Sequence, residues 1–342
     1  MEQYIAFDSH KQYTICARED VATGQEHQFR IEHGPGAIRQ ALAGCEPGTP
    51  VAVEATGNWY WIVDEIEQAG LKPLLVHPRK AKLMMGMVNK TDKLDARGLN
   101  RLQRCGTLPT VWIPRDQLRD LRELTRGRVY MTRRRTSLKN RITSLLTKYC
   151  LQVVGYSDTY CPGARPELQL RIEQLPEYSA YVGRMMLEEL DQVMARITDM
   201  EERLKDLIKI TPEMELLQSL PGIATILSAT LMLEIGEIKR FPDAAHLASY
   251  AGTTPRVHAS GGKVRYGKLR QDVNRTLKWA YVEAGNSVAS NHKAKPGLYV
   301  SRLFRRIRDR KGHDKAIGAV ARHLAEATHH VLRKMEPYRA PH

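Results

Sequence analysis

Met186, Leu190, Val193, Ile197, Met200, Leu204 and Leu207 follow one another at alternating steps of four and three residues. Only an α-helix stacks such a series on one side, and a narrow stripe kept for three heptads needs an apolar partner along its length. The spacing predicts a second long helix over 116–149, where Leu124, Met131, Leu138 and Leu145 recur every seven residues. Its alternate seam positions are mixed, Leu121 and Ile142 beside Arg128 and Arg135, so that stripe is imperfect. Pro162, Gly163 and Pro166 put a loop between the two helices. The pattern points to an antiparallel coiled-coil hairpin or a dimer interface, the plainer alternative being an ordinary amphipathic core helix.

The flanking segments differ from this middle. Short apolar runs at 4–7, 13–16, 26–31, 51–53 and 73–76 read as strands, and helical patterns cover 37–42, 58–68 and 91–104. Strands first in hairpins and then alternating with helices indicate a mixed sheet covered by helices. After Pro212 comes Leu220-Pro221-Gly222-Ile223 and an apolar helical run to Ile235, a helix-hairpin-helix-like element. A Gly-, Ser- and Arg-rich loop over 252–267 and helices over 270–290 and 314–334 complete the chain. The expected fold class is α/β plus α, in three parts: a mixed-sheet domain over 1–114, a long-helix coiled-coil region over 115–210 and a mainly helical domain over 211–342.

The formal net charge is +15, and its distribution is more telling than its size. Residues 1–114 carry 13 basic and 13 acidic side chains, whereas 115–148 carry 11 against 3 and 256–310 carry 14 against 3. Between those basic blocks, residues 167–215 reverse sign, with 6 basic and 12 acidic. The pattern reads as two polyanion-contacting surfaces joined by a solvated element. Arg133, Arg134, Arg135, Lys139 and Arg141 in the first block, and Arg256, Lys263, Arg265, Lys268 and Arg270 in the second, are the candidate phosphate contacts. The 42% hydrophobic content excludes a wholly disordered tail. Five widely spaced cysteines without a C-x-x-C pair suggest neither a disulfide framework nor a zinc site. No apolar run is long enough for a membrane span, and Met1-Glu2-Gln3-Tyr4 has no signal-like character, so a cytoplasmic location is expected.

Four carboxylates stand out in the neutral segment. Asp8 ends the first apolar run, Glu54 ends Val51-Ala52-Val53, and Asp92 and Asp95 sit three apart at the start of a helix, on one face. Singly, each reads as structural or solvated, and Thr91 or Asp92 suits a helix cap. As an ordered set they suit hard oxygen ligation of Mg²⁺ or Mn²⁺, and two such ions about 4 Å apart serve phosphodiester chemistry.

Tyr4-Ile5-Ala6-Phe7-Asp8, Val53-Glu54-Ala55-Thr56-Gly57 and Lys90-Thr91-Asp92-Lys93-Leu94-Asp95-Ala96 resemble the DEDD motif of a bacterial insertion-sequence transposase family. Its members include bridge-RNA-guided recombinases and Piv-type DNA invertases. The likeness continues in Leu220-Pro221-Gly222-Ile223, in Tyr250-Ala251-Gly252, in Pro255-Arg256 and in Ser260-Gly261-Gly262-Lys263. It implies a ribonuclease-H-like, RuvC-like first domain, a coiled-coil insertion and a C-terminal transposase domain with Ser260 as nucleophile. It further implies catalysis and Mg²⁺ binding by Asp8, Glu54, Asp92 and Asp95. Implied partners are donor and target DNA, a bridge-type noncoding RNA, and a second copy in a homodimer that becomes a synaptic tetramer on the bacterial nucleoid.

Read without the family, Ser260 is a loop serine before two glycines, with Arg256, Lys263 and Arg265 near it in sequence to neutralise phosphate. His258 is either an acid or base beside it or a solvated histidine, and Ser249 is a weaker nucleophile candidate. Trp59, Tyr60 and Trp61 read as core or boundary aromatics. The competing functions are a Piv-type invertase, a metal-dependent junction nuclease that uses water, and a non-catalytic nucleic-acid scaffold.

Overall fold

Strand β1 (Gln3–Ser9) turns back into β2 (Tyr13–Asp20), which pairs with β3 (Glu26–Glu32), all antiparallel. On its other side β1 takes β4 (Pro50–Glu54) as a parallel neighbour, and β4 takes β5 (Lys72–Val76), giving the order β3-β2-β1-β4-β5. Because side chains alternate across a sheet, this register sorts the core. Ile5, Phe7, Val51 and Val53 meet Ile38 and Leu42, from helix α1 (Ala37–Ala41) and its end, and Ile62 and Ile66 of α2 (Trp59–Gln68). Ala6, Ala52 and Val76 meet Ala81 of α3 (Pro78–Met85) and Leu99 and Leu102 of α4 (Asp92–Arg104) on the opposite face. The computed structural model describes residues 3–86, 92–207, 211–269 and 273–341. The chain divides into two units, Met1–Pro114 and Arg115–His342.

In the second unit the two long helices are α5 (Asp116–Lys148) and α7 (Glu177–Leu207), with α6 (Arg165–Glu173) between them. They run antiparallel: Gly127 faces Met200, Arg128 pairs with Glu201, Arg134 with Glu189, and Tyr149 meets Ser179. Leu190, Val193, Ile197 and Leu204 of the heptad series are buried, and Met186 and Met200 half-buried; the Leu207 side chain lies outside the described residues. Their counterpart on α5 is Leu138, Ile142 and Leu146. In the first half of α5 the buried residues are Arg119, Arg122, Thr125 and Val129, not a leucine seam.

That departure has a physical cause in α9 (Thr225–Ile235). Its Glu234 has no exposed surface and takes both guanidinium arms of Arg126, at 2.7 and 3.0 Å. The Leu233 and Glu234 carbonyls, left open by the helix end, accept from Arg122 at 2.7 and 3.0 Å, and Ile235 O accepts from Arg240 at 2.8 Å. Burial pulls the Arg122 guanidinium below the ordinary arginine range, and the Glu234 charge pushes it back.

Around α9 pack α8 (Pro212–Gln218), capped by Thr211, and α10 (Ala244–Tyr250), capped by Asp243. Helices α11 (Arg275–Asn291), α12 (Tyr299–Lys311) and α13 (His313–Lys334) complete one core through Tyr281, Phe304 and Leu324. Between α10 and α11 the expected loop over 252–267 is a β-hairpin instead, β6 (Pro255–Ser260) and β7 (Lys263–Leu269). The helix expected over 270–290 begins at Arg275, residues 270–272 lying outside the described ones. No helix among the described residues is long and apolar enough to cross a membrane.

Replacing Glu234 by Gln removes the buried charge that holds two nitrogens of the Arg126 guanidinium. We expect urea unfolding to show a loss of about 3 kcal/mol, the low end for a broken buried pair because Arg126 is partly exposed and rehydrates. A loss below about 1 kcal/mol rejects the assignment. The Cys16 thiol, wholly buried and pushed up to about 12 chiefly by that burial, is expected to resist iodoacetamide at pH 8 in the folded protein. Exposed Cys105 and Cys150 are expected to react, as read by peptide mass spectrometry.

Candidate active site

Asp8 and Glu54 stand one residue beyond the last matched pair of the parallel β1–β4 ladder, Phe7 opposite Val53. The register therefore carries them side by side at the strands' C-terminal ends. Alternation sets both on the face of Ala6 and Ala52, the face that α4 covers. Helix α4 runs against the strands: Gln103 Nε2 donates to Pro50 O, where β4 begins, and Asn100 Nδ2 to Tyr4 O and Ala17 O. Leu99 packs in one cluster with Ala6 and Ala52. One helical turn towards the N-terminus from Leu99 is Asp95, a rise of about 6 Å. Two strand residues on from Ala6 and Ala52 are Asp8 and Glu54, about 7 Å. The start of α4, with Asp95, therefore points to the same end of the sheet as Asp8 and Glu54.

Asp8 is 8% exposed, and His10 Nε2 stands 3.3 Å from its Oδ2, within ion-pair range when the imidazole is protonated. The loops after β1 and β4 are clipped together by Asn58, whose Nδ2 donates to His10 O at 2.7 Å and whose Oδ1 accepts from Thr56 at 2.9 Å. Asn58 was not among the residues singled out from sequence. Its place four residues after Glu54 is the only signal available there. Asp92 begins α4 one further turn out, but its side chain lies outside the described residues. Among the described residues no three His, Cys, Asp or Glu side chains form a ready metal cluster.

Ser260 ends β6 and pairs with Lys263, so Gly261-Gly262 is a two-residue turn. Both glycines have positive φ, 55° and 74°, the requirement for the tight turn that matches strand twist. Arg256, His258, Ser260, Lys263 and Arg265 are all exposed, as are Val257, Val264 and Tyr266, so neither face of the ribbon is covered. Its base is closed at Gly252, where a Cβ would collide with the Val273 side chain, and by Asn274 N donating to Tyr250 O at 3.0 Å. Asn274 also caps α11 and donates to Glu234 at 2.7 Å, which ties the ribbon to the buried carboxylate. Ser249 lies within α10 and not on the ribbon. The side chains of Lys268 and Arg270 lie outside the described residues.

The basic residues of α5 are not equivalent. Arg134 pairs with Glu189 and Lys139 with Asp158 at 3.0 Å, whereas Arg133, Arg135 and Arg141 make no ion pair among the described residues. Acidic α7 is therefore a partner of the first basic block and not only a solvated spacer. Glu234, Asn274, Arg275 and Trp279, absent from the sequence candidates, are brought to the same region by α9 and α11.

Residues 8–151 match the DEDD transposase family of the IS110 type, and residues 214–300 match the transposase IS116/IS110/IS902 family. The chain is 25% identical over 295 residues to the transposase for insertion sequence element IS1111A of Coxiella burnetii, covering 84% of this chain and 79% of the relative. It is 25% identical over 298 residues to the pilin gene-inverting protein of Moraxella bovis, covering 84% and 80%. Two family matches in order along the chain, over the strand-end acids and over the helices that carry the ribbon, place it: the protein belongs to the IS110-type insertion-sequence transposases, enzymes of DNA strand transfer.

Proposed function

We propose that this chain cuts and rejoins DNA strands at the ends of an insertion sequence, with Ser260 as nucleophile and a Mg²⁺ or Mn²⁺ site at Asp8, Glu54, Asp92 and Asp95. The observation that carries the reading is the placing of Asp8 and Glu54 at the ends of adjacent parallel strands, under a helix that packs on the same face and whose first turns carry Asp92 and Asp95. The sheet order β3-β2-β1-β4-β5, antiparallel and then parallel with helices on both faces, supports a ribonuclease-H-like, RuvC-like assignment for Met1–Pro114.

The donor set fits a hard divalent cation, since carboxylate oxygens are its preferred ligands and one of them, on Asp8, is nearly buried. Such an ion supplies charge stabilisation at the attacking and leaving oxygens of a phosphodiester. The chain's own groups do the rest. Ser260 Oγ forms the new bond to phosphorus, the bond to the 3′-oxygen breaks, and the serine proton is passed on to that oxygen. The products are a phosphoserine ester on the 5′ side and a free 3′-hydroxyl. Rejoining reverses the step with the 3′-hydroxyl of another strand, so no nucleoside triphosphate is consumed. A hydroxyl at the tip of an uncovered ribbon, flanked by Lys263 and Arg265, can reach the phosphate of a large substrate. A bridge-type RNA choosing the sites, and dimers joining into tetramers, belong to this reading through the family likeness. Inversion in place of transposition is the second reading, favoured by the equal identity to the pilin gene-inverting protein.

Asp8→Ala is expected to abolish strand exchange, lowering it at least about 100-fold. Ser260→Ala is expected to abolish both exchange and the covalent protein–DNA adduct seen on denaturing gels. Full exchange by Ser260→Ala, with loss only in Asp8→Ala, replaces the serine mechanism by water-mediated cleavage. Salt-sensitive DNA binding that survives both changes, with no cleavage by the wild type in Mg²⁺, leaves only a scaffold.

A further inference from the structure

An open groove of about 470 Å³ is lined by Arg133 of α5 together with Val273, Arg275, Lys278, Trp279 and Val282 at the start of α11. Its size falls in the range of roughly 300–1,000 Å³ typical of small-ligand sites. Its chemistry is specific: three cations, two valines, one indole and no acidic side chain among the described residues that line it. Trp279 is half-buried and is stacked on no aromatic ring among the described residues. Arg128, held by Glu201, stands 6.0 Å from its ring centroid, the outer limit of a cation–π contact. Arg133 and Arg275 are exposed and form no ion pair among the described residues, unlike Arg134 one position along α5.

We propose that this groove binds an unpaired nucleotide of a DNA or RNA strand, the base lying on Trp279 and the flanking phosphates on Arg133, Arg275 and Lys278. An acidic peptide would use the cations but leave the indole without a partner. A duplex would use the phosphate contacts but keep its bases stacked on one another. Only a strand with a free base satisfies both the aromatic and the charged parts of the groove. The groove adjoins the foot of the ribbon, since Val273 lines it and also meets Gly252. The inference rests on the reading of the chain as a nucleic-acid enzyme and adds a single-strand subsite to it.

The test measures binding of the full chain by fluorescence anisotropy to a labelled single-stranded DNA, its RNA counterpart, the matching duplex and polyglutamate. Trp279→Ala is expected to weaken the preferred single strand about 5- to 100-fold, the usual cost of one lost base stack. Duplex affinity is expected to change less than about twofold. Trp279→Phe is expected to restore most of the loss, which a general unfolding of α11 would not allow. Arg133→Ala is expected to reduce the slope of log affinity against log salt by about 0.7 on single strands. A larger effect on RNA than on DNA, or the reverse, identifies the strand and supports the subsite either way. Equal loss on duplex and single strand, no loss on either, or a matching loss on polyglutamate overturns it. Nucleic-acid binding by the wild type that is indifferent to Trp279 removes the subsite alone. Absence of any binding removes the proposed function with it.

Discussion

Glu234 is the constraint on which the second unit depends. A carboxylate with no exposed surface is costly unless every oxygen is paired, and here Arg126 and Asn274 do the pairing at 2.7 to 3.0 Å. Each partner belongs to a different element, so one charge fixes where α5 crosses α9 and where α11 begins. The carbonyls at the end of α9 extend the same logic, because Arg122 and Arg240 satisfy them where water cannot. Arg240 then lies over the rings of Phe241 and Tyr250, at 4.1 and 4.6 Å from their centroids, and Tyr250 O receives Asn274 N. The ribbon that carries Ser260 leaves this cluster at one foot and returns to it at the other. An uncovered two-stranded ribbon is marginal alone; here its ends are fixed by a core that it does not contribute to.

The first unit solves a different problem, how to gather like charges without burying them unpaired. Parallel pairing of β1 and β4 sets Asp8 and Glu54 at neighbouring strand ends, where the sheet stops and solvent or a cation is within reach. The layer below is made of alanines, Ala6 and Ala52, and small side chains there let α4 approach with Leu99. Substituting larger residues at those two alanines would lift the helix, and with it Asp95, away from the strand ends. The smallest residues of the sheet thus control the spacing of its most polar ones.

Much of this was legible from sequence. The strands that carry Asp8 and Glu54 near their ends and the two long helices rest on local patterns, an apolar run closed by an acid and a heptad stripe, which α9 overrides only in the first half of α5. The ribbon reads as a loop although Val257, Ala259, Val264 and Tyr266 alternate with polar and basic residues about Gly261-Gly262; that apolar face is short and exposed and meets no core among the described residues. Its pairing is set by Gly261-Gly262 and by the contact of Gly252 with Val273, residues 21 apart. Glu234 was equally hidden: within an apolar run a lone glutamate reads as solvated, and its partners Arg126 and Asn274 lie 108 and 40 residues away. Shared placement of the acids was readable only as an order of motifs, because it depends on strand register and on the direction of α4.

Charge shows most plainly how chain position and spatial position diverge. Counted along the chain, 115–148 is a strongly basic block and 167–215 an acidic one. In space, Arg128 and Arg134 meet Glu201 and Glu189, so part of each block cancels the other, while Lys139 and Asp191 pair with Asp158 and Arg165 from the segment between the blocks. A paired arginine on such a helix offers phosphate less than its formal charge, because the carboxylate must first be displaced or shared. The cations left unpaired among the described residues are then the ones that define where a polyanion gains most. On α5 these include Arg133, and on the ribbon Arg256, Lys263 and Arg265. The antiparallel helix pair therefore acts as a filter: acidic α7 neutralises Arg128 and Arg134 of α5, while Arg133 between them lies beside Arg275 and Lys278 of α11 without an ion pair among the described residues.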